Sequence, residues 1–189
     1  MLYNMNTSKV GKSLWQATIA ILVAVLLWFL WKGLFVQHPM TVVDSQQGQA
    51  FPSFTLSKVD DANQKVTLKD LQGKPHIVHV FASWCSVCVE EHPVWMTISK
   101  KFPYPIVGVV YRDEVDPVKM MLDKKGNPFI YVLNDVEGKL GLDLGLMGVP
   151  VTYILDAKGN VRMQQLGALS LSEFEAEFVP LLVTLSKEA

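Results

Sequence analysis

The chain has 189 residues, half of them hydrophobic, with 17 basic and 18 acidic side chains, which leaves room for one ordinary domain and one further segment. Residues 1–36 hold three lysines and no acid, so the remainder carries 14 basic against 18 acidic side chains and shows no sign of a nucleic-acid-binding surface. Two cysteines are too few for a disulfide-stapled scaffold, which points to chemistry rather than scaffolding for the pair.

Residues 14–31 are apolar except for Gln16 and Thr18. As a helix this run would span about 27 Å, close to the hydrocarbon thickness of a bilayer. Lys9 and Lys12 precede it, Lys32 can snorkel at its far end, and Trp15, Trp28 and Trp31 sit where interfacial aromatics belong. A cleaved signal peptide is the competing reading, but the run exceeds the usual apolar stretch of roughly 7–15 residues and no small-x-small site follows it. The expected organisation is a cytoplasmic N-terminus at 1–13, a membrane anchor at 14–36, a polar tether with Pro39 and Gly48 at 37–50, and a domain at 51–189 beyond the membrane.

Within that domain, 54–56 and 65–68 suit a short hairpin around the turn-rich Asp60-Asp61-Ala62-Asn63. Residues 69–75 form a turn into 77–82, an apolar, β-branched run that reads as a strand buried on both faces. A helix follows over 87–101, with Pro93 expected to kink it by removing a backbone bond. A second buried strand covers 106–111. Pro117 then opens a helix that has Val118, Met121 and Leu122 on one face, and Gly126-Asn127-Pro128 ends it. A strand at 130–133 and a short helix at 137–144 closed by Gly145 come next. Strands at 152–155 and 161–165 flank the turn signal Asp156-Ala157-Lys158-Gly159-Asn160. Ser170 with Glu173 has capping-box spacing and opens the last helix, on which Phe174, Phe178, Leu181 and Leu182 form an apolar stripe. Strands alternating with helices predict an α/β domain whose mixed central sheet is covered on both faces and carries its active residues at carboxyl strand ends.

Both cysteines lie at one such end, in Trp84-Cys85-Ser86-Val87-Cys88. A strand-to-helix turn puts Cys85 at a helix N-terminus, where free N–H groups and the positive dipole end favour an anion such as a thiolate. A free thiol has a pKa of about 8.5, and such settings lower it. Cys85, the more exposed of the two, would be the nucleophile, and Cys88, one turn inside, the resolving thiol. Two other readings stay open. A zinc half-site has this spacing but lacks a second cysteine pair, so His79 and His92 could complete it only if the fold brought them there. An inert disulfide is also compatible, although so short a ring constrains the unfolded chain little. His38 and His76 read as solvated loop residues, and Met120 with Met121 as core filling.

Trp-Cys-x-x-Cys at a strand end, with Gly148-Val149-Pro150 before a later strand, resembles the thioredoxin superfamily. Glu91-His92, Gly126-Asn127-Pro128-Phe129, Gly141-Leu142-Asp143-Leu144-Gly145 and Asp156-Ala157-Lys158-Gly159-Asn160 narrow the likeness, over about residues 51–187, to the CcmG/DsbE family. Its members are membrane-tethered periplasmic thiol-disulfide reductases of cytochrome c maturation in Gram-negative bacteria. The resemblance implies a thioredoxin-like fold, a catalytic Cys85/Cys88 dithiol, and a cis Val149-Pro150 bond facing the sulfurs. From the residues alone Pro150 would be a plain turn, since only about 5–6% of X–Pro bonds are cis. Beside such a bond Trp84, Val149 and Val151 would meet the client. Partners implied are apocytochrome c or a maturation thiol protein and a membrane dithiol donor, at the inner membrane, with no cofactor or metal.

Three positions depart from the family pattern. Ser86 stands where proline usually follows the first cysteine, Val151 where glutamate commonly follows the cis proline, and His79 where a buried aspartate or asparagine is usual. His79 and Glu91, three residues after Cys88, are candidate proton acceptors for the resolving thiol. Three functions compete: a reductase of apocytochrome c thiols, a periplasmic oxidase or isomerase, and a non-catalytic module that binds apocytochrome or haem. With no histidine between the cysteines to stabilise the thiolate, a strong oxidant is the less favoured enzyme.

Overall fold

The computed structural model describes residues 7–35 and 48–188, with side chains described for 15–32 and 48–188. The tether expected at 37–47, His38 and the first six residues lie outside the described residues. The chain divides into two units.

The first is a single helix, α1 (Thr7–Phe35), longer than its apolar stretch because Ser8 to Lys12 offers nothing to stop it. Its span Trp15–Lys32 has no buried residue, so apolar side chains face outward on every side. A helix that is apolar all round needs lipid or a protein core to cover it, and none of the span is buried in protein here. Thr18 donates its hydroxyl to the Trp15 carbonyl (2.8 Å), which satisfies that polar group within the helix as a bilayer demands. Length and composition fit one membrane pass.

The second unit is a seven-stranded mixed sheet of order β2-β1-β5-β4-β3-β6-β7. β1 (Thr55–Lys58) and β2 (Lys65–Thr67) form the antiparallel hairpin at one edge. β3 (His76–Phe81), β4 (Ile106–Tyr111) and β5 (Tyr131–Asp135) run parallel, joined by crossover helices α2 (Ser86–Lys101) and α3 (Val115–Lys125). A short α4 (Lys139–Asp143) leads to β6 (Val151–Leu155), antiparallel to β3, and then to β7 (Val161–Leu166). This is the thioredoxin-like α/β fold that the motifs implied.

Strand periodicity divides the core into two layers. Ile77 and Phe81 of β3 face the layer with Cys85, Cys88, Trp95, Phe174 and Phe178. Val78 and Val80 face the other, with Phe51, Phe54, Leu140 and Tyr153. β3 is buried along its whole length, as expected of a strand covered on both sides.

Several local features differ from the sequence reading. The expected tether reaches Ala50, but Gly48 and Gln49 already exchange backbone hydrogen bonds with Val161, and Ala50 forms an isolated bridge with Asn160, so these residues are fastened to the start of β7. β2 stops at Thr67 because Thr67 donates its N–H and hydroxyl to the Asp70 carboxylate, starting a 3-10 turn (Leu68–Leu71). His76 is buried rather than solvated, as the first residue of β3, with Nδ1–H donated to the Lys74 carbonyl (2.9 Å). Met121 fills core, but Met120 is exposed, since neighbours on a helix point to different faces. α2 continues through Pro93 as one helix. The last helix opens on the Ser170/Glu173 capping box as α5 (Leu171–Glu173), passes through a π turn (Phe174–Phe178) and continues as α6 (Val179–Glu188). Phe174, Phe178, Leu182 and Leu185 are buried along it, while Leu181 is only partly so.

Candidate active site

β3 ends at Phe81, and four residues later Cys85 is the N-cap of α2. The Cys85 Sγ accepts the backbone N–H of Cys88 (3.1 Å), so a helix-end donor that would otherwise lack a partner points at this sulfur. The two cysteines are joined as a disulfide with Cα atoms 5.3 Å apart. Both are buried, Cys85 at 7% exposure and Cys88 at 3%, so any partner must approach through Cys85. Ser86 and Val87 between them are exposed.

The segment before Cys85 is held by the end of β4. Asp113, itself buried, accepts the Ser83 N–H with one carboxylate oxygen and the Glu114 N–H with the other. Trp84 is 59% exposed, and its Nε1–H donates to the Arg112 carbonyl (3.2 Å). Arg112 has a positive φ of 47°, sparsely populated for a residue with a side chain. Consecutive residues 112 and 113 thus hold consecutive residues 83 and 84.

On the other side of the sulfur, the Val149-Pro150 bond is cis and the Val149 carbonyl lies 3.5 Å from Cys85 Sγ. Val149 is half-buried. Val151 differs from expectation: at 3% exposure its side chain packs in the core layer opposite the cysteines and is not available to a client. The physical reason is alternation, since Val151 shares its face of β6 with Tyr153 and Leu155.

Beneath the disulfide lies a buried polar cluster. The same alternation puts His79 on the face of Ile77 and Phe81, under α2, whose buried positions include Cys88, Glu91, Trp95 and Ile98. His79 Nε2 lies 3.2 Å from Glu91 Oε1 without the alignment of a hydrogen bond, which leaves that buried oxygen with no hydrogen-bond partner. Glu91 Oε2 accepts the Leu169 N–H (2.9 Å) and ties α2 to the loop before α5. His79 Nδ1 meets the Thr152 hydroxyl at 3.0 Å. Trp95 lies against the imidazole (ring centroids 4.4 Å apart), and Phe81 and Phe129 stack nearby. His92 stands apart from this pair: its Nε2–H donates to the Gly126 carbonyl (2.9 Å), and burial holds its pKa below the usual histidine value. Both histidines of the zinc reading therefore have other partners, and among the described residues no group of three metal-ligating side chains stands together.

The redoxin family model matches residues 46–177. The chain is 34% identical over 170 residues to the thiol:disulfide interchange protein DsbE of Pseudomonas aeruginosa, covering 90% of this chain and 92% of that one. It is 35% identical over 167 residues to the DsbE of Escherichia coli, covering 88% and 90%. The chain belongs to the DsbE (CcmG) family of thiol:disulfide interchange proteins. A secreted thiol-disulfide isomerase of Corynebacterium glutamicum shares the fold, with a TM-score of 0.66 over 79% of this chain and 95% of that one, at 16% identity. The activity of this DsbE-family chain is thiol-disulfide oxidoreduction.

Three site residues were not singled out from the sequence of this DsbE-family member: Arg112, Asp113 and Thr152. The first two follow a buried strand whose carboxyl end adjoins that of the cysteine strand, a signal the strand order would have exposed. Thr152 faces His79 only through the β3–β6 register, which pairs these two residues directly.

Proposed function

We propose that this chain is a single-pass inner-membrane protein with residues 1–13 in the cytoplasm, a span at 14–36, a tether, and a periplasmic redox domain that reduces disulfides during cytochrome c maturation. The observation that carries the redox roles is Cys85 Sγ at the mouth of α2, accepting the Cys88 N–H while Cys88 lies one turn deeper. In the reduced dithiol, the Cys85 thiolate attacks a client disulfide, forming a mixed disulfide and releasing one client thiolate. Cys88 then loses its proton and attacks Cys85 Sγ, which releases the second client thiolate and leaves the Cys85–Cys88 disulfide. The client gains two electrons and leaves as two thiolates, one taking the proton that Cys88 gives up and the other a proton from water; a membrane dithiol carrier restores the pair.

Val149 and Pro150 offer backbone beside the sulfur on which an extended client can align, and Trp84 supplies an exposed aromatic face. Glu91 and His79 take the Cys88 proton. Glu91 stands one turn after Cys88 on α2, and its Oε1 is buried without a hydrogen bond, which leaves it open to a proton. Family membership supports the proposed client class, oxidised Cys-x-x-Cys-His segments of apocytochrome c or a thiol protein that passes electrons to them.

The test is turnover by the full chain in detergent micelles, reduced with a dithiol, on a peptide carrying an oxidised Cys-x-x-Cys-His segment. Catalytic release of peptide thiols, abolished in Cys85→Ser, is expected. Stoichiometric binding without turnover would replace the reductase with a binding module. Turnover only in the direction of peptide oxidation would replace it with an oxidase.

A further inference from the structure

We infer that Thr152 is a positioning residue for the proton relay, a hydroxyl whose rotation satisfies the buried His79 ring in both of its protonation states. The inference rests on the reading that His79 and Glu91 receive the Cys88 proton, and it adds a residue to that step.

The argument begins with partners. His79 is 2% exposed, so neither ring nitrogen can rely on solvent. Nε2 lies 3.2 Å from Glu91 Oε1, and although the two are not aligned as a hydrogen bond, a proton on that nitrogen avoids setting two acceptors face to face when the ring is neutral. Glu91 Oε2 already accepts the Leu169 N–H, so Oε1 is the oxygen left to face the ring. Nδ1 of the neutral ring is then an acceptor, and Thr152 Oγ1 at 3.0 Å can donate to it. When the ring takes up a proton, Nδ1 becomes a donor. The same hydroxyl can accept from it after rotating about its C–O bond, because a hydroxyl carries one donor and two lone pairs. A carbonyl or carboxylate at this place, able only to accept, would suit the protonated ring and leave the neutral one unpaired.

The remaining neighbours cannot substitute. Trp95, Phe81 and Phe129 present rings to the imidazole, and His92, on the same face of α2, gives its Nε2–H to the Gly126 carbonyl instead. β3 and β6 fix the contact, since His79 and Thr152 are register partners in the middle of the sheet. The proton follows a closed path. It leaves Cys88 Sγ as that sulfur attacks Cys85, is held on the His79–Glu91 pair with Thr152 turned to accept, and passes to the departing client thiolate.

The experiment uses the full chain in detergent micelles, labelled with 15N-histidine, as wild type, Thr152→Val, Thr152→Ser and His79→Ala. Ring-nitrogen NMR reports the His79 tautomer and charge, and rapid mixing with a model disulfide separates first attack from resolution. Wild type is expected to show the Nε2–H tautomer at neutral pH. Thr152→Val should move the His79 ring signals and slow resolution about tenfold more than first attack, less than the roughly 10²–10⁴-fold of an acid–base group itself, because Thr152 acts through one. Thr152→Ser should restore both readouts. Unchanged ring signals in Thr152→Val, or an Nδ1–H tautomer in wild type, would overturn the inference even if His79→Ala resolves slowly and the relay stands. Shifted ring signals with wild-type resolution in Thr152→Val would overturn it too, and wild-type resolution in His79→Ala as well would remove the relay reading itself.

Discussion

At the residue scale, Cys85 and Cys88 are chemically identical side chains made unequal by one turn of helix. The Cys85 sulfur caps α2 beside the Val149 carbonyl, while Cys88 lies deeper in the same apolar cluster. In the reduced protein Cys85 is expected to be alkylated faster than Cys88 below pH 7, because only its thiolate is both reachable and held by the helix end. Cys88→Ser should then accumulate mixed disulfides with client proteins, as the attack that resolves them is gone, and Cys85→Ser should trap none. Mass spectrometry of alkylated peptides and non-reducing gels read both outcomes; faster labelling of Cys88 would reverse the assignment. The pair itself was legible in the sequence because the motif is local. His79 was picked out by the family position it fills and Glu91 by its helical spacing from Cys88, and the structure buries both, 3.2 Å apart. Asp113 and Thr152 were not picked out, because their partners are 30 and 73 residues away and depend on strand order and register. Val151 was misplaced for a related reason: adjacency to Pro150 in sequence says nothing about which face of β6 a side chain takes.

At the element scale, α2 is fastened at three places, and each has a different consequence. Glu91 ties it to the loop before α5, Trp95 packs under it against His79, and His92 bonds the carbonyl of Gly126, the C-cap residue of α3. His92 has a pKa lowered by burial first, with Lys125 and His79 adding to it, while the Gly126 carbonyl and Glu91 work in the opposite direction. The unfolded chain therefore binds this proton more readily than the folded one, so stability is fully present above the unfolded value of about 6.5 and falls as pH drops below it. His76 at the start of β3 is lowered for the same leading cause, burial, and adds to the same trend. Urea unfolding of the full chain in micelles should show stability declining between pH 7.5 and 5.5, and His92→Gln should flatten that decline while keeping a side chain able to donate to Gly126. A decline as steep in His92→Gln would assign it to other groups. Most elements could be read from apolar periodicity and from glycines and prolines at their ends. Gly126 and Gly145, both at positive φ where helices α3 and α4 finish, are where the sequence placed those stops. The π turn at Phe174–Phe178 was hidden, because one extra residue in a turn shifts the helical register without altering the composition that signals a helix.

At the scale of the whole molecule, a redox domain and an apolar span are combined in one chain, and the direction of electron flow links them. A more stabilised Cys85 thiolate makes the pair more oxidising. Here the helix end and the Cys88 N–H stabilise it, while Ser86 and Val87 bring no charge between the cysteines. The potential should therefore lie nearer that of thioredoxin, about −270 mV, than that of a strong oxidase at about −120 mV. In an oxidising compartment such a pair would accumulate as the disulfide unless electrons were supplied continuously. On the topology proposed above, the anchor keeps the domain at the surface where a membrane dithiol donor can supply them. Acid-trapping of growing cells, followed by alkylation with a mass-shifting thiol reagent, measures the redox state of Cys85 and Cys88 directly. The pair is expected to be mainly reduced when the membrane donor is present and to become oxidised when it is removed. A disulfide that persists in the presence of that donor would contradict the reductase and put an oxidase in its place.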